Sequence, residues 1–177
     1  MKKNITLVSA IAACSLILAG CNSDSKSDSS NKVTSAGVIT GFGSVYVNGT
    51  RYITDTSNII HNGTANSTQD ALKVGMKVVV NADKQSDGSA PVAAEIKYLS
   101  DVTGQIQEID LVNSTLTVLG QKYVVTASTK LDGFLFKELN TDTFVEISAF
   151  KNQAGEYTAN YIEIEADVNE QQLVGEI

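Results

Sequence analysis

His61 is the only histidine in the chain, and that alone narrows the chemistry open to it. A Ser-His-Asp arrangement would have to be built around this one imidazole, and a metal site away from it would rest on carboxylates alone. No nucleophile, base and orienting group can be matched along the sequence, so the expectation is a protein without catalytic residues, cofactor or metal, with His61 in a loop. Gly41-Phe42-Gly43 lacks the third glycine and the strand-to-helix setting of a dinucleotide fingerprint and reads as tight β packing. Asp83-Lys84-Gln85-Ser86-Asp87-Gly88 has Gln85 at a ligand position and Ala94 where a calcium loop needs a bidentate glutamate, which leaves an Asp-Gly turn. Glu163, Glu165, Asp167 and Glu170 form an acidic strand end, expected to be a solvated face that could bind divalent cations only weakly. Tyr46, Arg51, Tyr157 and Tyr161 are the candidates for an exposed aromatic and basic patch that could stack on sugar or peptide.

One cysteine stands in a more specific setting. Met1-Lys2-Lys3-Asn4 is a basic head, and the apolar run from Ile5 to Leu18 is too short for a permanent membrane span. Leu18-Ala19-Gly20-Cys21 then resembles a bacterial lipobox. The resemblance implies cleavage between Gly20 and Cys21, a diacylglyceryl group on the Cys21 thiol and further acylation, by palmitate for example, of the new amino terminus. Each buried CH₂ contributes about 0.8 kcal/mol, so two or three chains hold a protein on the bilayer where one would not. Asn22, where an aspartate would be the retention signal, resembles the default for sorting to the outer membrane. The implied location is the bacterial cell envelope, anchored to the lipid bilayer through Cys21.

Charge bears on the partners. The whole chain carries 13 basic and 20 acidic residues, a net of −7, and removal of a leader with Lys2 and Lys3 makes it more acidic still. That balance argues against nucleic acid and against electrostatic docking on anionic lipid. With Cys21 taken by lipid and Cys14 lost with the leader, no disulfide is left to brace the fold. Residues 22–35 are rich in Ser, Asp, Asn and Lys, which predicts a disordered tether with a reach of roughly 20 Å.

The remainder reads as one β-rich unit written twice. Val45-Tyr46-Val47-Asn48-Gly49-Thr50-Arg51-Tyr52-Ile53 is matched by Leu116-Thr117-Val118-Leu119-Gly120-Gln121-Lys122-Tyr123-Val124, and the Leu72 to Val80 stretch by Leu139 to Ile147. Asn48-Gly49 predicts a two-residue hairpin with Val45, Val47 and Tyr52 on the core face. Leu119 is a poor residue for that turn, so the second copy is expected to use a different or longer loop. Ser67-Thr68-Gln69-Asp70 resembles a capping box opening one helical turn that ends by Gly75. Along the last strand, Val92, Ala94, Ile96 and Tyr98 are expected to alternate against Ala93, Glu95 and Lys97. Short strands must close on themselves to hide their edges.

The predicted fold is therefore all-β: two tandem small antiparallel β-barrels, OB-like or related, each of about five strands. The boundaries read as a leader over 1–20, a lipidated start and tether over 21–35, barrels over 36–100 and 101–168, and over 169–177 the start of a third repeat or a closing strand. The runs from Gly37 to Gly49, Leu72 to Met76 and Ala94 to Ile96 resemble an uncharacterised repeat family of bacterial lipoproteins, domain of unknown function 5666. The resemblance implies a β-rich envelope protein and no assigned activity. Two functions fit: an interaction module for an unknown envelope protein or polysaccharide, or a spacer without a dedicated ligand.

Overall fold

The computed structural model describes residues 31–166 and 172–174, and within them the two copies fold as two closed β-barrels. In the first, β1 (Lys32–Phe42) is the pivot. One of its edges pairs with β2 (Val45–Val47), which turns into β3 (Thr50–Tyr52). The other edge pairs with β6 (Lys77–Asp83), and β6 pairs with β7 (Val92–Tyr98). A parallel bridge between Ile53 and Val92 closes the ring of five. A hairpin of β4 (Asn58–His61) and β5 (Thr64–Ser67) extends from β7, with β4 parallel to it.

The second barrel repeats this plan with β8 (Val102–Asp110), β9 (Thr115–Val118), β10 (Gln121–Val124), β12 (Phe144–Lys151) and β13 (Tyr157–Ile164). Between them, β11 (Lys130–Leu131) lies parallel to β13. Pairing of β10 with β13 closes the ring and is also parallel, so each barrel is antiparallel except at its seam. A final strand, β14 (Gln172–Leu173), pairs with β8.

The first hairpin follows its sequence. Asn48 and Gly49 both take positive φ, 50° and 82°, as a two-residue turn of this hand requires. Val45, Val47 and Tyr52 are buried on the core side. The Asn48 side chain does a second job: its Nδ2 donates to the Ala36 carbonyl at 3.1 Å, and its Oδ1 accepts from the Val38 amide at 3.2 Å. Gly37 makes room for it, since a Cβ there would stand 2.1 Å from the Asn48 Nδ2.

Several expectations need correction. Leu119 does not force another loop: it and Gly120 take φ of 47° and 78°, the same turn as Asn48-Gly49. Tertiary packing outweighs the local cost, because Leu119 lies against Gly104 and the second core. β1 starts at Lys32, so Lys32 to Ser35, read as tether, are strand paired to β6. The helical turn is present as one 3₁₀ turn, Gln69–Ala71, but Thr68 makes no side-chain cap and the Ser67 hydroxyl donates to the Thr64 carbonyl instead. On β7 the alternation breaks at a β-bulge between Asn81 and Ala82, which puts Ala93 and Ile96, not Ala94, in the core. His61 ends β4 rather than lying in a loop.

Each barrel has its own apolar core, but the first core includes Tyr161, which belongs to β13 of the second barrel. A unit of this size is marginal when it stands alone, and a shared core residue relieves that.

Candidate functional site

The barrels meet through a buried polar junction assembled from both. Asn62 and Gly63 form a second Asn-Gly turn, at the tip of the β4–β5 hairpin, with φ of 45° and 82°. That turn aims the Asn62 amide at the end of the first barrel. The Asn62 backbone N–H donates to the Tyr98 carbonyl at 3.1 Å, and its Oδ1 accepts from the Ser100 amide at 3.0 Å. Its Nδ2 donates to Glu146 Oε2 of the second barrel at 2.6 Å, while the Tyr98 hydroxyl donates to Glu146 Oε1 at 2.7 Å.

Glu146 is 2 % exposed, and the reason lies in its strand. Along β12, Val145, Ile147 and Ala149 fill the second barrel, so Glu146 and Ser148 point outward, and the first barrel then covers them. The Ser148 Oγ accepts from the Lys77 amide at 2.9 Å. Lys77 Nζ donates to Asp101 Oδ1 at 2.6 Å and to the Ala149 carbonyl at 3.0 Å, and Asp101 Oδ2 accepts from the Ala149 amide.

Glu146 stands directly opposite Glu163 in the β12–β13 register, and like charges opposed across strands repel. A carboxylate oxygen from each of Glu146, Glu163 and Glu165 falls within 4.8 Å of the other two. Burial pushes the Glu146 carboxyl up to about 7, with Glu163 and Glu165 adding to the rise and the bonds from Tyr98 and Asn62 opposing it. Glu163 is raised as well, again chiefly by burial, with the Tyr161 hydroxyl and the Lys73 charge opposing. The Tyr161 hydroxyl lies 2.7 Å from Glu163 Oε2 and 3.2 Å from Asp132 Oδ2, so its one proton serves two carboxylates. The His61 ring packs on Tyr98 with centroids 4.8 Å apart, and burial lowers its pKa against the charge of Glu165. Three carboxylates of this kind are oxygen donors of the type calcium and magnesium take. Glu146 and Glu163 accept hydrogen bonds from protein donors, which compete with a cation for the same oxygens.

A groove of about 440 Å³ opens beside the junction. Its floor is a cross-strand row, Ala36 against Val79 against Lys97, on the outer face of the first barrel. Phe150 of the second barrel and Val174 stand at its wall, with Leu99, Ser100 and Asp101 between. Val79 and Phe150 are both exposed there, and Lys77 Nζ sits 5.6 Å from the Phe150 ring centre.

The patch expected from the sequence is not formed as a unit. Tyr46 and Arg51 do face each other across β2 and β3, and Arg51 Nη2 donates to Ser44 Oγ at 3.2 Å. Tyr157 packs on Tyr123, its ring 5.6 Å away, beneath Lys151. Tyr161 is buried at 2 % exposure and is no surface residue; its ring completes the first core. Glu163 and Glu165 are half-buried at the junction rather than on a solvated face, while Asp167, Glu170, Gly20 and Cys21 lie outside the described residues. Asn62, Tyr98 and Glu146 carried no motif, although Asn62-Gly63 is the same hairpin signal as Asn48-Gly49. Among the described residues no helix is long and apolar enough to cross a membrane.

Fold and junction together define an all-β protein of two tandem small barrels that share a buried acid and tyrosine contact. The chain belongs to the family described as domain of unknown function DUF5666, whose model matches residues 32–97 and 103–163, one match for each barrel. No curated protein matches the chain.

Proposed function

We propose that the protein is a non-catalytic interaction module of the bacterial cell envelope, anchored through acylated Cys21, that takes an envelope protein into the groove beside the barrel junction. The observation that carries this reading is that the exposed Val79 and Phe150 line one groove together with Lys97. Apolar side chains in a concavity with lysine at its side fit an extended segment that carries an apolar anchor and an acidic residue. The lipobox-like Leu18-Ala19-Gly20-Cys21 supports the anchor.

In-cell crosslinking of the anchored protein, followed by identification of what is attached, tests both parts. A protein captured by the native chain is expected to be lost with Phe150→Ala and with Lys97→Glu, and Cys21→Ser is expected to move the chain from the membrane to the soluble fraction. Capture that survives both groove substitutions refutes the groove. No enriched protein, with crosslinking shown to be efficient, leaves a polysaccharide ligand or a spacer role.

A further inference from the structure

The junction presents a problem of charge that the fold does not need to have. Glu146 is almost fully buried, it is opposed in register by Glu163, and Glu165 completes a triangle of carboxylates within 4.8 Å. The same Glu146 oxygens receive Asn62 and Tyr98, two of the side chains by which the first barrel holds the second. The state of one carboxyl group is thus tied to a contact between barrels. We propose that Glu146, with Glu163 and Glu165, is a proton-operated latch: a proton held in the cluster keeps the barrels closed on each other, and its loss, although it strengthens the bonds from Asn62 and Tyr98, favours parting of the barrels so that the buried charge is hydrated.

Glu146 is faced from β7 by the Tyr98 hydroxyl and from the β4–β5 turn by the Asn62 amide, both donors. From β13 come Glu163 and, just beyond it, Glu165, both of which add to the cost of ionising Glu146. Behind Glu163 stand Tyr161 and Asp132, and Lys73 acts on it as the opposing cation. His61 lies against Tyr98 and responds to Glu165. A proton on Glu146 removes one of three mutually repelling charges and leaves Oε2 accepting from Asn62. Without the proton Glu146 carries its charge in a space that excludes water, beside the half-buried Glu163 and Glu165, and hydrating it requires the barrels to part. The raised pKa of Glu146 sets the working range near neutrality.

This inference does not depend on what the groove binds. The test is amide hydrogen exchange of the full chain between pH 5 and pH 8.5, corrected for the intrinsic rate. The reporter is the Ser100 amide, whose partner is Asn62 Oδ1, compared with Ile96 in the first core and Val118 in the second. Ser100 is expected to lose protection by about tenfold or more across this range while Ile96 and Val118 keep theirs, as a local opening requires. Glu146→Gln, which keeps the shape and an acceptor for Asn62, is expected to abolish the change, and the exposed Glu108→Gln to leave it intact. Carboxyl-carbon NMR titration of the unmutated chain measures proton release from Glu146 directly, so the inference is decided even if Glu146→Gln fails to fold. Titration of Glu146 at an ordinary carboxylate value, or loss of protection at Ser100, Ile96 and Val118 together, overturns it.

Discussion

Replacing Asn48 by Leu, the residue the second repeat carries at the equivalent place, isolates what the turn amide contributes. Asn48 holds φ at 50°, a left-handed conformation that asparagine tolerates and that costs an ordinary L-residue about 1–2 kcal/mol. It also bonds Ala36 and Val38 through its side chain, at 3.1 and 3.2 Å. Those bonds lie near solvent, so about 0.5 kcal/mol each is the appropriate share. Sterically the exchange is allowed, because Leu119 already occupies the matching space above Gly104, as Asn48 does above Gly37. Asn48→Leu should therefore cost about 2 kcal/mol, which in a chain of this length lowers Tm by roughly 4–8 °C. Urea unfolding and calorimetry of the native and variant proteins measure it, with an unchanged urea slope as the sign that the fold is kept. The reverse exchange, Leu119→Asn, should change stability by less than about 1 kcal/mol, since relief of the left-handed strain is offset by loss of apolar packing on the second core. A cost below about 0.5 kcal/mol for Asn48→Leu would show that the side-chain bonds and the turn preference contribute nothing, and the reasoning would fail.

Gly75→Ala should be severely destabilising, by about 2–4 kcal/mol, because φ there is +102° and the added Cβ would stand 2.9 Å from the Asn160 carbonyl oxygen; thermal unfolding measures it. Tyr161→Phe removes the hydroxyl shared by Glu163 and Asp132 and should cost about 1–3 kcal/mol while moving Glu163 to a still higher pKa, readable by carboxyl NMR. The pH profile of stability has a definite sign. Glu146 holds its proton up to about 7 in the folded chain but only to its ordinary 4.5 when unfolded, so the folded state binds more protons between those values. The Glu146 contribution to stability is full below about pH 4.5, is lost as pH rises through the window and is gone above about 7, a loss of about 3 kcal/mol at 1.36 kcal/mol per unit. His61, whose pKa burial lowers, works with the opposite sign. Denaturant midpoints of the native chain and of Glu146→Gln across pH 4–8 measure the Glu146 contribution as the difference between the two curves.

Local rules carried the sequence reading a long way and then stopped at the barrel surfaces. Asn48-Gly49, the alternation of Val45, Val47 and Tyr52, and the echo of Leu72–Val80 in Leu139–Ile147 are statements about neighbours in the chain. They sufficed for the all-β class, the tandem repeat and the core face of the first hairpin. Leu119 shows the limit of such rules even within a hairpin, since packing on Gly104 and the second core held it in a turn its own preference opposes. At β7 a bulge reset the alternation, with Ala94 left out of the pairing between Asn81↔Glu95 and Ala82↔Ala93, a feature of register that alternation along Val92–Tyr98 does not reveal. The junction lay further out of reach. Tyr98 meets Glu146 across 48 positions and Asn62 meets it across 84, with nothing in the spacing of either to announce the pairing. Tyr161 and Glu163 share one face of a strand as any surface pair could, and only the presence of the first barrel against β12 and β13 makes one a core residue and the other a half-buried acid. Sequence by itself determined which segments become strands and which of their faces are apolar, because those depend on residues a few positions apart. Where the outward faces end up, in water or against a second barrel, is a question of tertiary contact, and burial is what turns an ordinary glutamate into one that titrates near neutrality.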